Sequence, residues 1–477
     1  MKKMKMKLSA LAAVLLAASP ALADQASVTQ NGYFGTAQVN QTGGTNNVNS
    51  ATVIQRVGSA YESAYITQAG EGNQNASVDQ SGESNVATVN QNGNLGVATV
   101  AQGENSVSGT ATITQGANSV GAIATINQNY GAGTGSFNTA TIYQNSANVD
   151  QATITQYGGN NTATTTQQNN YYANATANTT QYGDYNIASI EQDNTALVQA
   201  SIIQSGSLNK GSISQRSLGG GNTADIIQTG QSNNATIDQV NSAWNESRIT
   251  QNGVGNTGTI EQESAVYGDA SIDQIGNNNT ATINQTNYLT ENASAQITQN
   301  GNGNSATINQ KLGLDDVASI DQQSDSNTAT INQTSTNGEI ASITQSTGVL
   351  NTASISQLLG VSDEAIIVQE NDSNNAMIYQ TSTNGEYASI YQGGASNWAM
   401  INQSNGVDDS AIISQTGDGN QATINQGVFD NLGSNGSQAT ITQSGSDNIA
   451  TIDQVGSGKI ASVDQTGNGN NAMIVQH

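Results

Sequence analysis

The 477-residue chain has no cysteine, one histidine and one proline, and only 4% of its residues are aromatic. Without cysteine there is no disulfide framework, no thiolate metal site and no thiol nucleophile. His477 is the last residue, so histidine acid/base pairs and multi-histidine metal centres are excluded. Ten basic residues stand against 35 acidic ones, a balance that opposes binding to nucleic acid. Charged residues of either sign amount to 9%, where about 25% is usual in soluble globular chains. Apart from Leu8 to Ala18 there is no long apolar run, and that one is too short to cross a bilayer.

Residues 1–23 read as a secretory signal. Lys2, Lys3, Lys5 and Lys7 form a basic start, Leu8 to Ala18 an apolar centre, and Pro20 with Ala21-Leu22-Ala23 a break and a small-residue cleavage site. Cleavage would leave residues 24–477 with all 35 acids and six bases (10 − 4), a net charge of −29, and no membrane span. Pro20 would go with the leader. A proline-free chain suits unbroken β ladders, because no backbone donor is missing.

What the chain has in abundance is side-chain amide and glycine: 63 Asn, 49 Gln and 51 Gly. These residues are not scattered. The pentapeptide Ala-x-Ile/Val-x-Gln recurs 38 times, from Ala26–Gln30 to Ala472–Gln476, and 33 copies are exact. The variants are Thr165 and Thr179 at the aliphatic position and Gly211, Ser247 and Gly258 at the alanine position. Alternation over five residues is a strand period. It turns Ala, Ile and Gln to one face and the mostly polar x residues to water. From Gln181 onward, steps of 11 residues alternate with steps of about 12. The 11-residue arcs share Gln-x-Gly-x-x-Asn-x-Ala-x-Ile-x-Gln, as in Gln274-Gly276-Asn279-Ala281-Ile283-Gln285 and Gln415-Gly417-Asn420-Ala422-Ile424-Gln426. The unit is therefore strand–turn–strand–turn, about 23 residues long, and two pentapeptides per unit make 19 units.

The expected fold is all-β: a parallel, cross-β-like β-solenoid of about 19 two-stranded rungs over residues 24–477, with Ala and Ile interdigitating between two sheets. Two longer arcs, Gln128 to Gln144 and Gln426 to Gln443, read as loop insertions. A buried amide without partners costs about 1–3 kcal/mol. Stacking identical residues removes that cost, because each Gln amide can donate to the next rung and accept from the previous one. The expected ladder positions include Gln274, Asn279, Gln285, Gln299, Asn304, Gln310, Gln415, Asn420 and Gln426. The motif starts three residues after the cleavage site and stops one residue before His477, with no capping helix. Open end strands are templates for further strands, so end-to-end stacking with copies of itself is expected.

The motif Gln-x-Gly-x-x-Asn-x-Ala-x-Ile/Val-x-Gln resembles the curlin repeat of bacterial curli, the amyloid fibres of biofilms, over essentially the whole chain after the leader. The resemblance implies Sec export, passage through an outer-membrane curlin pore, and polymerisation at the cell surface from a nucleator subunit. The product implied is an extracellular fibre for matrix, adhesion and cell aggregation. The chain departs from familiar curlin subunits in having many more repeats and in lacking a Gly-rich segment between leader and repeats.

No nucleophile–base set can be assembled, so no enzyme and no cofactor are expected. Gly301-Asn302-Gly303-Asn304 lacks the Lys-Ser/Thr of a phosphate loop. The alternative function is a monomeric secreted solenoid binding ice, a glycan or another surface ligand through a flat face. Thr112-Thr114, Thr153-Thr155 and Thr440-Thr442 fit an ice-binding array only locally. Metal binding is expected nowhere, with one candidate set aside: Asp316, Glu339, Asp363, Glu386 and Asp409 stand two residues before the motif Ala in five consecutive longer arcs. Stacked, they form an acidic column, read either as a solvated edge that restrains sideways bundling or as carboxylates bridged by Ca²⁺.

Overall fold

The computed structural model describes residues 13–16, 24–43, 48–70, 72–129, 137–170, 174–216, 219–427 and 435–477. Within them the protein is all-β, a parallel β-solenoid with about 23 residues per rung. Every one of the 38 pentapeptides lies on a strand. The two insertions expected after Gln128 and Gln426 fall on residues 130–136 and 428–434, outside the described residues, as does most of the leader.

The chain divides into two units, Met1–Ser232 and Asn233–His477. In the first, strands from Thr36–Gly43 to Lys210–Arg216 form one parallel sheet, and the alternate strands from Gln25–Gln30 to Thr223–Gln231 form the other. A short strand within the segment expected to be a leader, Ala13–Leu16, lies parallel to Thr36–Gly43, with Leu16 opposite Gln41. In the second unit, one sheet runs from Asn234–Val240 to Asn471–Gln476 and the other from Glu246–Val254 to Ile460–Thr466.

The register follows from the repeat. Strand Thr280–Glu291 pairs with Ser305–Lys311 so that Ala281 meets Ala306, Ile283 meets Ile308 and Gln285 meets Gln310. In the other sheet Ala270 meets Ala295, Ile272 meets Ile297 and Gln274 meets Gln299. A slip by one residue would turn every apolar side chain to water, so the alternation locks the pairing. The motif Ala and Ile residues of the inner rungs are buried, and the x residues between them are half-buried or exposed.

The corners explain the glycine of the 11-residue arcs. Gly276 has φ +114°, and a Cβ there would sit 1.9 Å from the carbonyl oxygen of Gly301 on the next rung. No side chain fits a column in which each backbone rests on the one below. Elsewhere the turns are less dependent on Gly and Asn than the sequence suggests. Leu312, Leu359, Trp244 and Tyr267 all adopt φ near +57°, a conformation that costs a side-chain-bearing residue about 1–2 kcal/mol. Their apolar side chains remain exposed.

The core makes a direct demand on its aliphatic column. Ile355 is fully buried, and Ile355→Ala should cost about 2–5 kcal/mol. Ser356→Ala, on the outward face of the same strand, should stay within about 0.5 kcal/mol. Denaturant midpoints of the two variants measure the difference.

Candidate functional site: amide ladders and an acidic column

The glutamines of each sheet point inward and bond along the stacking axis. In one sheet of the second unit Gln251 Nε2 donates to Gln274 Oε1 (2.9 Å), Gln274 to Gln299 (2.8 Å) and Gln299 to Gln322 (2.9 Å). In the other, Gln262 donates to Gln285 (2.7 Å), Gln285 to Gln310 (2.9 Å) and Gln310 to Gln333 (3.0 Å). Further along, Gln415 donates to Gln443 (2.9 Å) and Gln426 to Gln454 (3.0 Å). The first unit repeats the pattern, for example Gln156 to Gln181 and Gln181 to Gln204, both 2.9 Å.

The second amide hydrogen is also used. Gln274 Nε2 donates to the backbone oxygen of Thr257 and Gln299 Nε2 to that of Thr280, both at 3.0 Å. These carbonyls open the strands of the facing sheet, so each glutamine ties its own column together and stitches the two sheets to each other. The direction is constant: the donor belongs to the earlier rung and the acceptor to the later one.

The turn asparagines are satisfied differently. Asn279 Oδ1 accepts the backbone N–H of Asn304 (2.9 Å), and Asn279 Nδ2 donates to Gly301 O (2.8 Å). Asn420 Oδ1 likewise takes the N–H of Asn448 (3.1 Å), and its Nδ2 caps Gly445 O (2.8 Å). Asn304 Oδ1 accepts from Asn327 N (2.9 Å), while its Nδ2 has no partner among the described residues. The shorter side chain reaches the backbone of the next rung, so this column runs mainly from side chain to main chain.

The acidic column does not form a solvated edge. Asp316, Glu339, Asp363, Glu386 and Asp409 are all at most 1% exposed. They occupy, at the corner leading into the other sheet, the place that Asn holds opposite, two residues before the motif Ala. The aspartates copy the Asn oxygen: Asp316 Oδ1 accepts from Glu339 N (3.1 Å), Asp363 Oδ1 from Glu386 N (2.8 Å) and Asp409 Oδ1 from Ser437 N (2.6 Å). Thr336 Oγ1 donates to Asp316 Oδ2 (2.6 Å), and Thr383 Oγ1 donates to Asp363 Oδ2. All four carboxyl oxygens of Glu339 and Glu386 lack a well-formed hydrogen bond among the described residues, and the backbone N–H groups of Asp363 and Asp409 only partly offset their burial.

The electrostatics follow the burial. Burial, reinforced by the flanking aspartates, pushes Glu339 and Glu386 up to about 9. Burial also raises Asp316 and Asp363, opposed by their threonine and backbone donors. In the first unit burial moves Glu62 up to about 7 and Asp150 to about 6. The sequence reading singled out neither. Both carried a legible signal, standing two residues before a motif Ala (Ala64 and Ala152) like the acids of the column. No group of three or more Asp, Glu or His side chains converges to hold a metal ion among the described residues, so the column offers Ca²⁺ too few ligands for the six to eight oxygens it prefers.

Replacing Gln285 by Leu removes two buried ladder bonds and leaves Gln262 Nε2 without its acceptor. The expected cost is about 1–3 kcal/mol. Gln231→Leu, at an exposed position off the motif, should change little. Equal losses in urea unfolding would contradict the inward role of Gln285.

No helix among the described residues is long and apolar enough to cross a membrane. No curated protein matches the chain. The curlin associated repeat family matches at residues 199–230 and 435–467. Each stretch spans successive strands of the solenoid, Gln199–Ser207 and Lys210–Arg216 in the first, Gln438–Ser444, Ile449–Gln454 and Ile460–Thr466 in the second. In both of its units, then, this β-solenoid carries the curlin associated repeat.

Proposed function

We propose that the protein is a secreted structural subunit that self-assembles into curli-type extracellular fibres, serving matrix, adhesion and cell aggregation. The observation that carries this reading is the one-way glutamine ladder. Every rung offers Oε1 acceptors to the rung before it and Nε2 donors to the rung after it, so another copy can continue the column only head to tail. Such a contact does not close on itself and grows as a filament.

The leader fits the same reading. Strand Ala13–Leu16 covers the edge of Thr36–Gly43, and Gln41 Oε1 is buried there without a partner among the described residues. Loss of residues 1–23 on export would open that edge to a donor from another copy. The proposed partners are other copies, a nucleator subunit and an outer-membrane curlin pore, and the proposed place is the bacterial cell surface. The role is structural rather than catalytic.

Purified chain lacking residues 1–23 should form fibres without an energy source, with a repeat of about 4.8 Å along the fibre axis. Electron microscopy and fibre diffraction check both points. A chain that stays monomeric for days at high concentration would overturn the proposal and favour a solenoid working alone.

A further inference from the structure

The acidic column has an internal order that neither the repeat nor fibre assembly requires. Asp and Glu alternate strictly, and so do the residues three places earlier: Gly313 with Asp316, Thr336 with Glu339, Gly360 with Asp363, Thr383 with Glu386, Gly406 with Asp409. The pattern spans two rungs. Each Thr donates its hydroxyl to the Asp of the preceding rung. Gly313 and Gly360 leave room for carboxyl oxygens: a Cβ on Gly313 would lie 1.8 Å from Asp316 Oδ2, and one on Gly360 would lie 2.3 Å from Asp363 Oδ2 and 2.5 Å from Glu339 Oε1. Oxygens of Glu339 and Asp363 thus converge above Gly360, two acceptors with no donor between them.

The surroundings supply no positive charge. The charged groups acting on Asp316, Glu339, Asp363 and Glu386 are one another, Asp409, and the neighbouring Asp315 and Asp408. From the facing sheet come glutamine amides, and these donate to the column's backbone rather than to its carboxyls: Gln333 Nε2 to Glu339 O (3.3 Å), Gln357 to Asp363 O (3.3 Å), Gln380 to Glu386 O (3.4 Å). On the other side stand the backbone bridges Leu314–Asn337, Asn337–Val361 and Val361–Asn384, which bring no charge. Two buried carboxylates meeting face to face in such a place cannot both stay ionised.

We propose that the column is a proton-binding site, in which Glu339 and Glu386 each hold a proton when folded and turn it toward a neighbouring aspartate. The proton is the missing donor: Glu339 becomes an O–H group facing Asp363, and Glu386 stands likewise between Asp363 and Asp409. The aspartates keep their charge because each already accepts a backbone N–H. Threonine and glycine set this alternation by giving Asp a second donor and Glu the space to lean into. Folding of this stretch therefore takes up protons. An unfolded Glu loses its proton near 4.3, while both glutamates here are pushed up to about 9 by burial and the flanking aspartates. The folded form binds more protons throughout that interval, so its stability is complete at acidic pH and falls as the pH rises towards 9.

The test uses the full chain and the double variant Glu339→Gln/Glu386→Gln, with urea unfolding measured from pH 5 to 9 at constant ionic strength. Glutamine keeps the size of Glu and carries a permanent N–H donor. Relative to the variant, the wild-type unfolding constant should rise by up to about a hundredfold per pH unit, the limit for two protons. The variant should outlast the wild type at pH 8–9. Infrared spectra at pH 8, above the range of Glu62 and Asp150, should show a protonated-carboxyl C=O band in the wild type that the variant lacks. Equal pH slopes, or no such band in the wild type, would overturn the proposal. Stabilisation at pH 8 by millimolar Ca²⁺ beyond matched Na⁺, with loss of the band, would overturn it in favour of a cation site. Should the double variant fail to fold, a wild-type band that persists at pH 8, above the range of Glu62 and Asp150, decides alone.

Discussion

A glutamine amide turned into a dry interior must find two acceptors for its N–H groups and a donor for its oxygen, and here it finds them in the identical residues one rung before and one rung after and in backbone carbonyls across the sheet gap. That requirement governs the rest. It demands the same side chain at the same height in each rung, hence parallel strands in register. It demands a rung of nearly constant length, hence turns that tolerate left-handed backbone. It also gives each unit a direction, since donors and acceptors alternate the same way throughout. The aliphatic column supplies burial, but burial alone is non-directional and would tolerate several registers. The amides select one.

The two corners answer a similar problem with different chemistry. Where an 11-residue arc turns, asparagine uses its oxygen on the next rung's N–H and its nitrogen on a glycine carbonyl, so both ends are satisfied. At the opposite corner the position is occupied by whatever the local arc allows, among others Asn49, Asp150, Ala175, Val198, Asn245, Gly268 and Ala293 before the five acids. Aspartate reproduces the oxygen of asparagine but has no donor. Glutamate, one methylene longer, brings its carboxyl up to its neighbour's, and the backbone N–H it faces only partly offsets the burial. A column of acids is thus compatible with the solenoid geometry while remaining electrostatically conditional on protonation, unlike the amide columns beside it.

A structural role suits this division. The amide ladders involve neutral groups and are indifferent to ordinary changes of pH, which would suit the extracellular fibre proposed above. The stretches that match the curlin associated repeat, 199–230 and 435–467, carry both ladder and core, with Gly211 the one departure from the motif in them. Among the described residues the buried ionisable groups stand at a few corners, Glu62, Asp150 and the run from Asp316 to Asp409, where they confer sensitivity locally without interrupting either ladder.

The strands, their inward faces, the parallel stacking and the rung length were all legible in the sequence, because Ala-x-Ile/Val-x-Gln repeats in phase and a five-residue alternation admits only one strand orientation. The ladder positions Gln274, Gln285 and Gln299 could be named for the same reason. Burial at the corners could not. A residue two places before a strand lies where the chain turns, and whether it faces water or the interior depends on how the turn folds back over it. Asp316 and its successors therefore read as an edge, whereas the turn residues bridging from rung to rung enclose them. The difference between the Gln and Asn columns was hidden likewise: both are amides in register, and only the reach of each side chain to a backbone placed by the tertiary fold decides that one bonds chiefly to its own kind and the other to the main chain.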